Sequence, residues 1–352
     1  MKHIAILIPT LKKGGAEKQA IILMNALGEA GHKVYFVLFY PELGIEPDTL
    51  KLISAIDYKI VKLTGNIFTR SYKLYSLLKS EHVDSFFCYL TMPNFIGSIV
   101  GRMAGVRQTF TGIRCNWAPK WKLMIEIMAS WISTGVIANC YSGVDFFSNR
   151  GVKRMITIPN CFIYPSEFFY RQRKDCISII TVARFDVLKD YETAIRSVAF
   201  LRVLYSNITF EIVGKYYDVT EDTIRGWLKQ YNIEDITHLH IHNQDIPTLL
   251  DNADIYLSSS LHEGTSNSIM EALNASLPVI ATNVGDNSIL VKHGKNGFIV
   301  PVKSPEKIAE ALKKLCDSYE MRLEMGKIGN EHLRDFYSFE KFKNSYYTLI
   351  ND

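Results

Sequence analysis

Glu263 and Glu271, with seven residues between them, bracket the run with the most chemistry to offer, His262-Glu263-Gly264-Thr265-Ser266-Asn267-Ser268-Ile269-Met270-Glu271. It follows an apolar strand ending in Ser258-Ser259-Ser260, so a strand end leads directly into a helix start. Gly264 permits close backbone approach. Thr265, Ser266 and Asn267 are capping types, and the free amides of the first helical turn would face the crevice at the strand ends, a geometry that attracts phosphate. Glu263 stands at the mouth of that site. Glu271 lies about two turns away on an otherwise apolar helix face, where a carboxylate is costly unless donors surround it. Sugar or ribose hydroxyls would serve, since one carboxylate accepts two at once. A capped helix with a surface glutamate is the alternative reading of this segment alone.

A second segment, Arg184-Phe185-Asp186-Val187-Leu188-Lys189, also leaves the C-terminal end of a strand and precedes a helix. Ligands of open α/β sheets bind at such ends. Two cations there suit a diphosphate, which Arg184 can grip through two nitrogens; solvated side chains are the alternative. A third, Lys12-Lys13-Gly14-Gly15-Ala16-Glu17, turns tightly into the first helix, its N-terminus directed at a cleft between domains, but has neither the dinucleotide fingerprint nor the P-loop pattern. Gly214 ends the strand Phe210 to Val213 and would admit a nucleoside or simply make a turn. No Asp-x-Asp pair occurs, so the usual carboxylate anchor for a diphosphate-bound metal is missing and a metal-independent site is expected. The absence of a Gly-x-Ser-x-Gly elbow argues against a hydrolase of the α/β type. His238, His240 and His242 alternate along one strand face without a further zinc ligand nearby.

The elements that must position these residues alternate between apolar β-rich runs and amphipathic helical runs. The first half reads as strand His3 to Pro9, helix Gly15 to Gly31 and strand Lys33 to Phe39, then strands at Asp84 to Tyr89, Arg107 to Gly112 and Thr134 to Ala138, with helices from about Pro93 and Trp117. After a pause between Pro159 and Asp175, a second series runs from strand Ile177 to Ala183 through helix Tyr191 to Leu204 to strand Pro278 to Ala281. Both halves are expected to be doubly wound parallel sheets. The domains expected are residues 1–165 and 166–330, with 331–352 a C-terminal helix crossing back, its Phe339, Phe342, Tyr346 and Tyr347 spaced to dock.

The chain of 352 residues is long enough for two cores, and 47% hydrophobic with 22% charged residues excludes a disordered or fibrous chain. The first residues read as a strand, not a signal peptide. The apolar stretch from Leu123 to Ala138 is broken by Glu126 and hydroxyl residues, so no spanning helix is expected. Six scattered cysteines fit reduced, cytosolic thiols. A net charge of +4 conceals an uneven distribution: residues 1–168 carry 19 Lys/Arg against 11 Asp/Glu, and no acid occurs from Ser85 to Ile125. Such a patch favours an anionic partner, with nucleic acid and an anionic membrane surface or phosphorylated lipid as candidates and a solvated basic face as the plain alternative.

Taken together, two α/β domains, Gly14-Gly15-Ala16-Glu17 after the first strand, Arg184 with Lys189, and Glu263 with Glu271 resemble the retaining glycosyltransferases of family 4, which have the GT-B fold. The likeness is strongest from Ile177 to Val302, and the Glu263-Gly264-Thr265-Ser266-Asn267-Ser268 version looks most like bacterial members that build capsule, lipopolysaccharide or other surface glycans. The resemblance implies that Arg184 and Lys189 neutralise a departing nucleotide diphosphate, Glu263 binds hydroxyls of the donor sugar and Glu271 the ribose. Gly264, Thr265, Ser266 and Asn267, with Gly15 and Gly214, would complete the donor site. It also implies a UDP-sugar as the first donor to test, no cofactor, and same-face attack in which the leaving phosphate draws the acceptor proton. The histidine that many members carry in the N-terminal domain has no counterpart in Thr109 to Asn116, where Arg114 or Asn116 would position acceptor or sugar. A polyprenyl-diphosphate-linked acceptor would place the enzyme in the cytoplasm at the inner face of the membrane, attached through the basic region and Trp117, Trp121 and Trp131, unless those tryptophans belong to a core.

A nucleotide-sugar 2-epimerase on the same fold and a non-catalytic sugar-nucleotide-binding scaffold are the rival functions. The acidic second half and the absence of a recognised module count against nucleic acid.

Overall fold

The computed structural model describes all residues except 13, 55–56, 116, 164–165, 243–244 and 352, and the side chain of 48. The chain divides into two compact units, Met1–Ile163 with Phe339–Asp352, and Tyr164–Ser338.

In the first unit strand and helix alternate as β1 (His3–Ile8), α1 (Gly15–Glu29), β2 (Lys33–Leu38), α2 (Pro47–Leu50), β3 (Tyr58–Lys62), α3 (Ile67–Ser80), β4 (Ser85–Tyr89), α4 (Thr91–Ala104), β5 (Gln108–Ile113), α5 (Lys120–Ile132), β6 (Gly135–Ala138), α6 (Tyr141–Ser148) and β7 (Met155–Thr157). The strands form one parallel sheet in the order β3-β2-β1-β4-β5-β6-β7. Continuous apolar runs such as Ile4 to Ile8 and Val34 to Leu38 are buried throughout, because crossover helices cover both sheet faces.

The second unit contains β8 (Ile177–Val182), α7 (Tyr191–Arg202), β9 (Ile208–Gly214), α8 (Glu221–Gln230), β10 (Thr237–Ile241), α9 (Ile246–Asn252), β11 (Ile255–Ser258), α10 (Asn267–Asn274), β12 (Val279–Thr282), α11 (Asn287–Leu290), β13 (Gly297–Val300), α12 (Pro305–Asp317) and α13 (Tyr319–Phe336). Its parallel sheet runs β10-β9-β8-β11-β12-β13. The order reverses between β8 and β11, which pair through Ile179 with Ile255 and Ile180 with Tyr256. A crevice beyond the strand ends opens at such a reversal.

The last helix, α14 (Phe339–Asn351), belongs to the first unit. Phe342, Tyr346 and Ile350 are buried in its core, and the Tyr346 ring meets Phe87 edge-on at 5.5 Å.

The α5 helix packs Leu123 and Ile127 against the core but also presents large apolar side chains outward. Its inner face buries Glu126, Ala129 and Ser130, while Trp121, Met124 and Trp131, at helical spacing, are 56%, 60% and 61% exposed. Trp117, just before it, is also exposed, so none of these tryptophans has a core role. Among the described residues no helix is long and apolar enough to cross a membrane.

Candidate functional site

At the reversal point, the loops leaving β8 and β11 are laced together. Leu261 N–H donates to Leu188 C=O at 2.8 Å, and the Ser259 hydroxyl lies 2.8 and 2.9 Å from the carbonyls of Lys189 and Asp190. Thr282, from the end of β12, donates its hydroxyl to Ser260 C=O at 2.6 Å. Asp186 caps the 3₁₀ turn Val187–Lys189 by accepting from Leu188 N–H, and Asp190 then takes left-handed angles, φ 47° and ψ 54°, to start α7. The sharp turn sends the Lys189 side chain toward the β11 loop.

There Lys189 Nζ donates to Glu263 Oε1 at 2.6 Å, with the Ser260 hydroxyl donating to the same oxygen at 2.8 Å. Their side chains are only 18% and 13% exposed, so the pair is shielded enough to matter electrostatically. Both hydrogen bonds end on Oε1. Among the described residues that leaves Oε2, and two of the three Lys189 N–H donors, for a ligand.

Thr265 and Ser266 are buried at the entry to α10, Asn267 opens the helix, and the Ser266 and Ser268 hydroxyls are 3.2 Å apart. Gly264 C=O accepts from Asp286 N–H at 3.1 Å. Gly285 passes so close that a β-carbon there would lie 2.3 Å from Glu263 O. Glu271, half-buried on α10, shares with Glu263 the field felt by Tyr256. Burial chiefly drives the Tyr256 phenol upward in pKa, and both carboxylates add to it; its hydroxyl donates to Val182 C=O at the end of β8. The structure thus gathers Lys189, Glu263 to Asn267 and Glu271 beyond the C-terminal ends of the central strands β8 and β11.

Arg184 stands apart from the Lys189–Glu263 pair. Its guanidinium is 3.3 Å from the buried Asp186 carboxylate and stacks 4.6 Å from the centre of the exposed Tyr217 ring. At Gly214 the constraint comes from the protein itself: a β-carbon would lie 2.2 Å from Ala183 O and 2.5 Å from the Phe185 ring. Ser259, Ser260 and Gly285 join the expected residues at this site. The run Ser258-Ser259-Ser260 is the sequence signal for the first two, since three hydroxyls ending a buried strand need partners beyond it.

The remaining expected residues lie in the first unit. Gly15 begins α1 behind Gly14, which is extended at φ −151°. Arg114 stacks 4.4 Å from the centre of the Tyr89 ring and donates to Asn160 Oδ1 at 3.3 Å, while its buried Nε has no partner among the described residues. Asn116 lies outside the described residues. The alternating histidines do not act together, since His240 pairs with Glu211 at 2.7 Å and His242 packs edge-on against Tyr216.

Near Arg114, Asn94 clamps both the N–H and C=O of Gly112 and donates to Glu126 Oε2 at 3.0 Å. Burial pushes Glu126 up to about 7, with bonds from Asn94 and Thr91 and the charge of Lys122 acting the other way. Folded Glu126 therefore keeps a proton that the unfolded chain releases near the ordinary value of 4.5. Its stabilising effect is complete below that value and is lost as pH rises through about 7. Glu126→Gln cannot ionise, so relative to wild type it should gain about 3 kcal/mol between pH 4 and 8. Thermal unfolding at the two pH values checks this, and a constant difference in Tm would contradict it.

A family model described as Glycosyl transferases group 1 matches residues 146–332. The chain is 26% identical over 168 residues to the D-inositol 3-phosphate glycosyltransferase of Paenarthrobacter aurescens, which covers 47% of this chain and 41% of that protein. It is 26% identical over 196 residues to the GDP-mannose:cellobiosyl-diphosphopolyprenol alpha-mannosyltransferase of Komagataeibacter xylinus, covering 53% and 50%. These matches span half or less of either relative. The crystal structure of Anabaena HepE in complex with UDP-glucose covers all of both chains with a TM-score of 0.84 at 16% identity. The shared fold is GT-B, with two Rossmann-like domains.

Proposed function

The chain belongs to the family of glycosyl transferases group 1, and from that premise we propose that it is a retaining, metal-independent enzyme moving a sugar from a nucleotide diphosphate to a glycan or polyprenyl-diphosphate-linked saccharide. Surface polysaccharide assembly is the setting we propose. The observation that carries the reading is the shielded Lys189–Glu263 pair beside the N-terminus of α10, at the point where the strand order reverses.

In this reading the bond between the anomeric carbon and the diphosphate oxygen breaks, and its electron pair stays on the diphosphate. Lys189, Arg184 and the first amides of α10 meet that negative charge, which is where electrostatic stabilisation lowers the barrier most. Glu263 accepts hydroxyls of the sugar and Glu271 those of the ribose. The acceptor oxygen attacks from the face the diphosphate leaves, and its proton passes to the leaving phosphate. UDP-glucose in the HepE complex supports a UDP-sugar, while the GDP-mannose named for the Komagataeibacter relative keeps GDP-sugars in the test. Nucleoside diphosphate release measured over a panel of UDP- and GDP-sugars, with lipid-diphosphate-linked saccharides as acceptors, tests the proposal. Acceptor-dependent release supports it; donor rearrangement without acceptor would favour a 2-epimerase, and binding without turnover a scaffold.

The diphosphopolyprenol named in the same relative supports a membrane-bound acceptor. The outward face of α5 suits that setting, with Trp121, Met124 and Trp131 flanked by exposed Lys120 and Lys122, the latter 5.4 Å from the Trp121 ring centre. Tryptophan and lysine together favour the interface of an anionic bilayer, each cation adding about 1 kcal/mol. Lys120→Ala with Lys122→Ala should therefore weaken sedimentation with anionic vesicles about thirtyfold. Binding independent of anionic lipid and of salt would remove the membrane part of the proposal.

A further inference from the structure

We infer that Arg171 is a positioning residue for the site on α10, acting from the far end of that helix. The last carbonyls of a helix have no partner within it and carry its negative end. Two helices present such ends to one side chain here. Arg171 donates through one terminal nitrogen to Asp251 C=O, and through the other to Leu250 C=O, both in the last turn of α9, and to Ala275 C=O at the end of α10. The residue is 8% exposed, and its own carbonyl accepts from the Tyr319 hydroxyl at 2.6 Å.

The segment around it repeats the grip on α10. Ser166 N–H donates to Asn274 Oδ1 at 2.8 Å and its hydroxyl to Asn274 C=O at 3.1 Å. Asn330 of α13 donates to that carbonyl and to Ser166 C=O, and Phe169 N–H donates to Ser276 Oγ. A β-carbon on Gly326 would lie 2.2 Å from Ser276 O, so α13 backs directly onto the same turn. The cavity beside Arg171 and Arg322 is about 10 Å³, room for one water at most. The intact guanidinium therefore holds the three carbonyls with little room for water beside it.

The α10 helix has eight residues, about 12 Å at 1.5 Å each. Glu263 to Ser266 lead into one end and Arg171 holds the other, so the latch sets how far the first-turn amides and Glu271 reach toward a ligand. No catalytic contact is assigned to Arg171. The inference rests on the proposed donor site, and its test separates the two.

Arg171→Lys keeps the charge but not the planar fork, and Ser166→Ala is a milder second variant should the first fold poorly. In Arg171→Lys, hydrogen exchange at the amides of Met270 to Leu273 should quicken at least tenfold while α8 stays protected, and the Kd for UDP or GDP should rise about tenfold. Ser166→Ala should shift both in the same direction by less. A uniform loss of protection across the unit, or quickened exchange with unchanged nucleotide affinity, would reduce Arg171 to a structural residue and overturn the inference. Failure of the wild-type chain to bind either nucleotide would instead count against the donor site, leaving exchange to judge the latch.

Discussion

Lys189→Met is expected to lower kcat/KM at least about a hundredfold, and adding Glu263→Gln is expected to restore stability without restoring activity. The reasoning starts from the 2.6 Å pair and its low exposure. Removing only the cation leaves the Glu263 carboxylate with the Ser260 hydroxyl as its remaining donor, an uncompensated charge in a shielded place. The single variant should therefore lose both stability and transfer. Neutralising the second partner removes the stranded charge, so Tm should recover. Transfer should not, because the cation that meets the leaving diphosphate is still missing, and one such group is worth about 3 kcal/mol or more in the transition state. If the double variant regained both, the pair would be a structural device and the site assignment would be wrong.

The second large effect is expected at Gly285. Its φ of +54° disfavours any side chain, and the β-carbon of Gly285→Ala would lie 2.3 Å from Glu263 O and 2.7 Å from Gly264 O. These are backbone atoms, so the obstruction cannot be relieved by a rotamer change. The Glu263–Gly264 turn must move, and with it the 3.1 Å bond from Asp286 N–H to Gly264 C=O. A displacement of an ångström in a positioning loop costs about a hundredfold in rate. Gly294 is the matching control, with φ +75° and open space around its β-carbon position. Gly294→Ala should share the conformational strain, on the order of 1 kcal/mol, yet leave kcat nearly unchanged. Equal losses of kcat in the two variants would show that strain, not displacement of the site loop, is responsible.

Most of what positions the site could be read from residue patterns. β8 and β11 read Ile-Ser-Ile-Ile-Thr-Val and Ile-Tyr-Leu-Ser, short β-rich runs that lead into polar loops, and Asn267 to Asn274 carries a clear apolar face behind capping residues. The edge strands β3 and β7 carry weaker patterns and do not stand out in the sequence. β3 reads Tyr-Lys-Ile-Val-Lys and lies at a sheet edge with only Ile60 and Val61 partly covered, so it lacks the buried run that marks a central strand. β7 has three residues, all half-buried at the opposite edge. In the site itself, residue types were informative but pairing was not. Arg184 and Lys189 look equivalent in sequence; the cap at Asp186 and the left-handed Asp190 turn Lys189 onto Glu263, while Arg184 pairs with Asp186 and Tyr217. Arg171 falls in the pause between Pro159 and Asp175, where nothing local shows that two distant helix ends converge on it.

The docking of α14 has a consequence for the order of events during synthesis. Phe342, Tyr346 and Ile350 complete a core whose other members, among them Phe87 and Phe110, leave the ribosome long before them. All of Tyr164–Ser338 is translated in between, and at the usual rates of about 5 to 20 residues per second that interval is roughly 10 to 35 s. During it the early sheet has all its strands but waits for α14 to cover part of its apolar surface, whereas the later unit is one contiguous segment and waits for nothing translated after it. The nascent chain therefore depends on α14 to cover an adhesive surface made well before it. Chaperone demand should accordingly fall on the half translated first, even though that half has the head start.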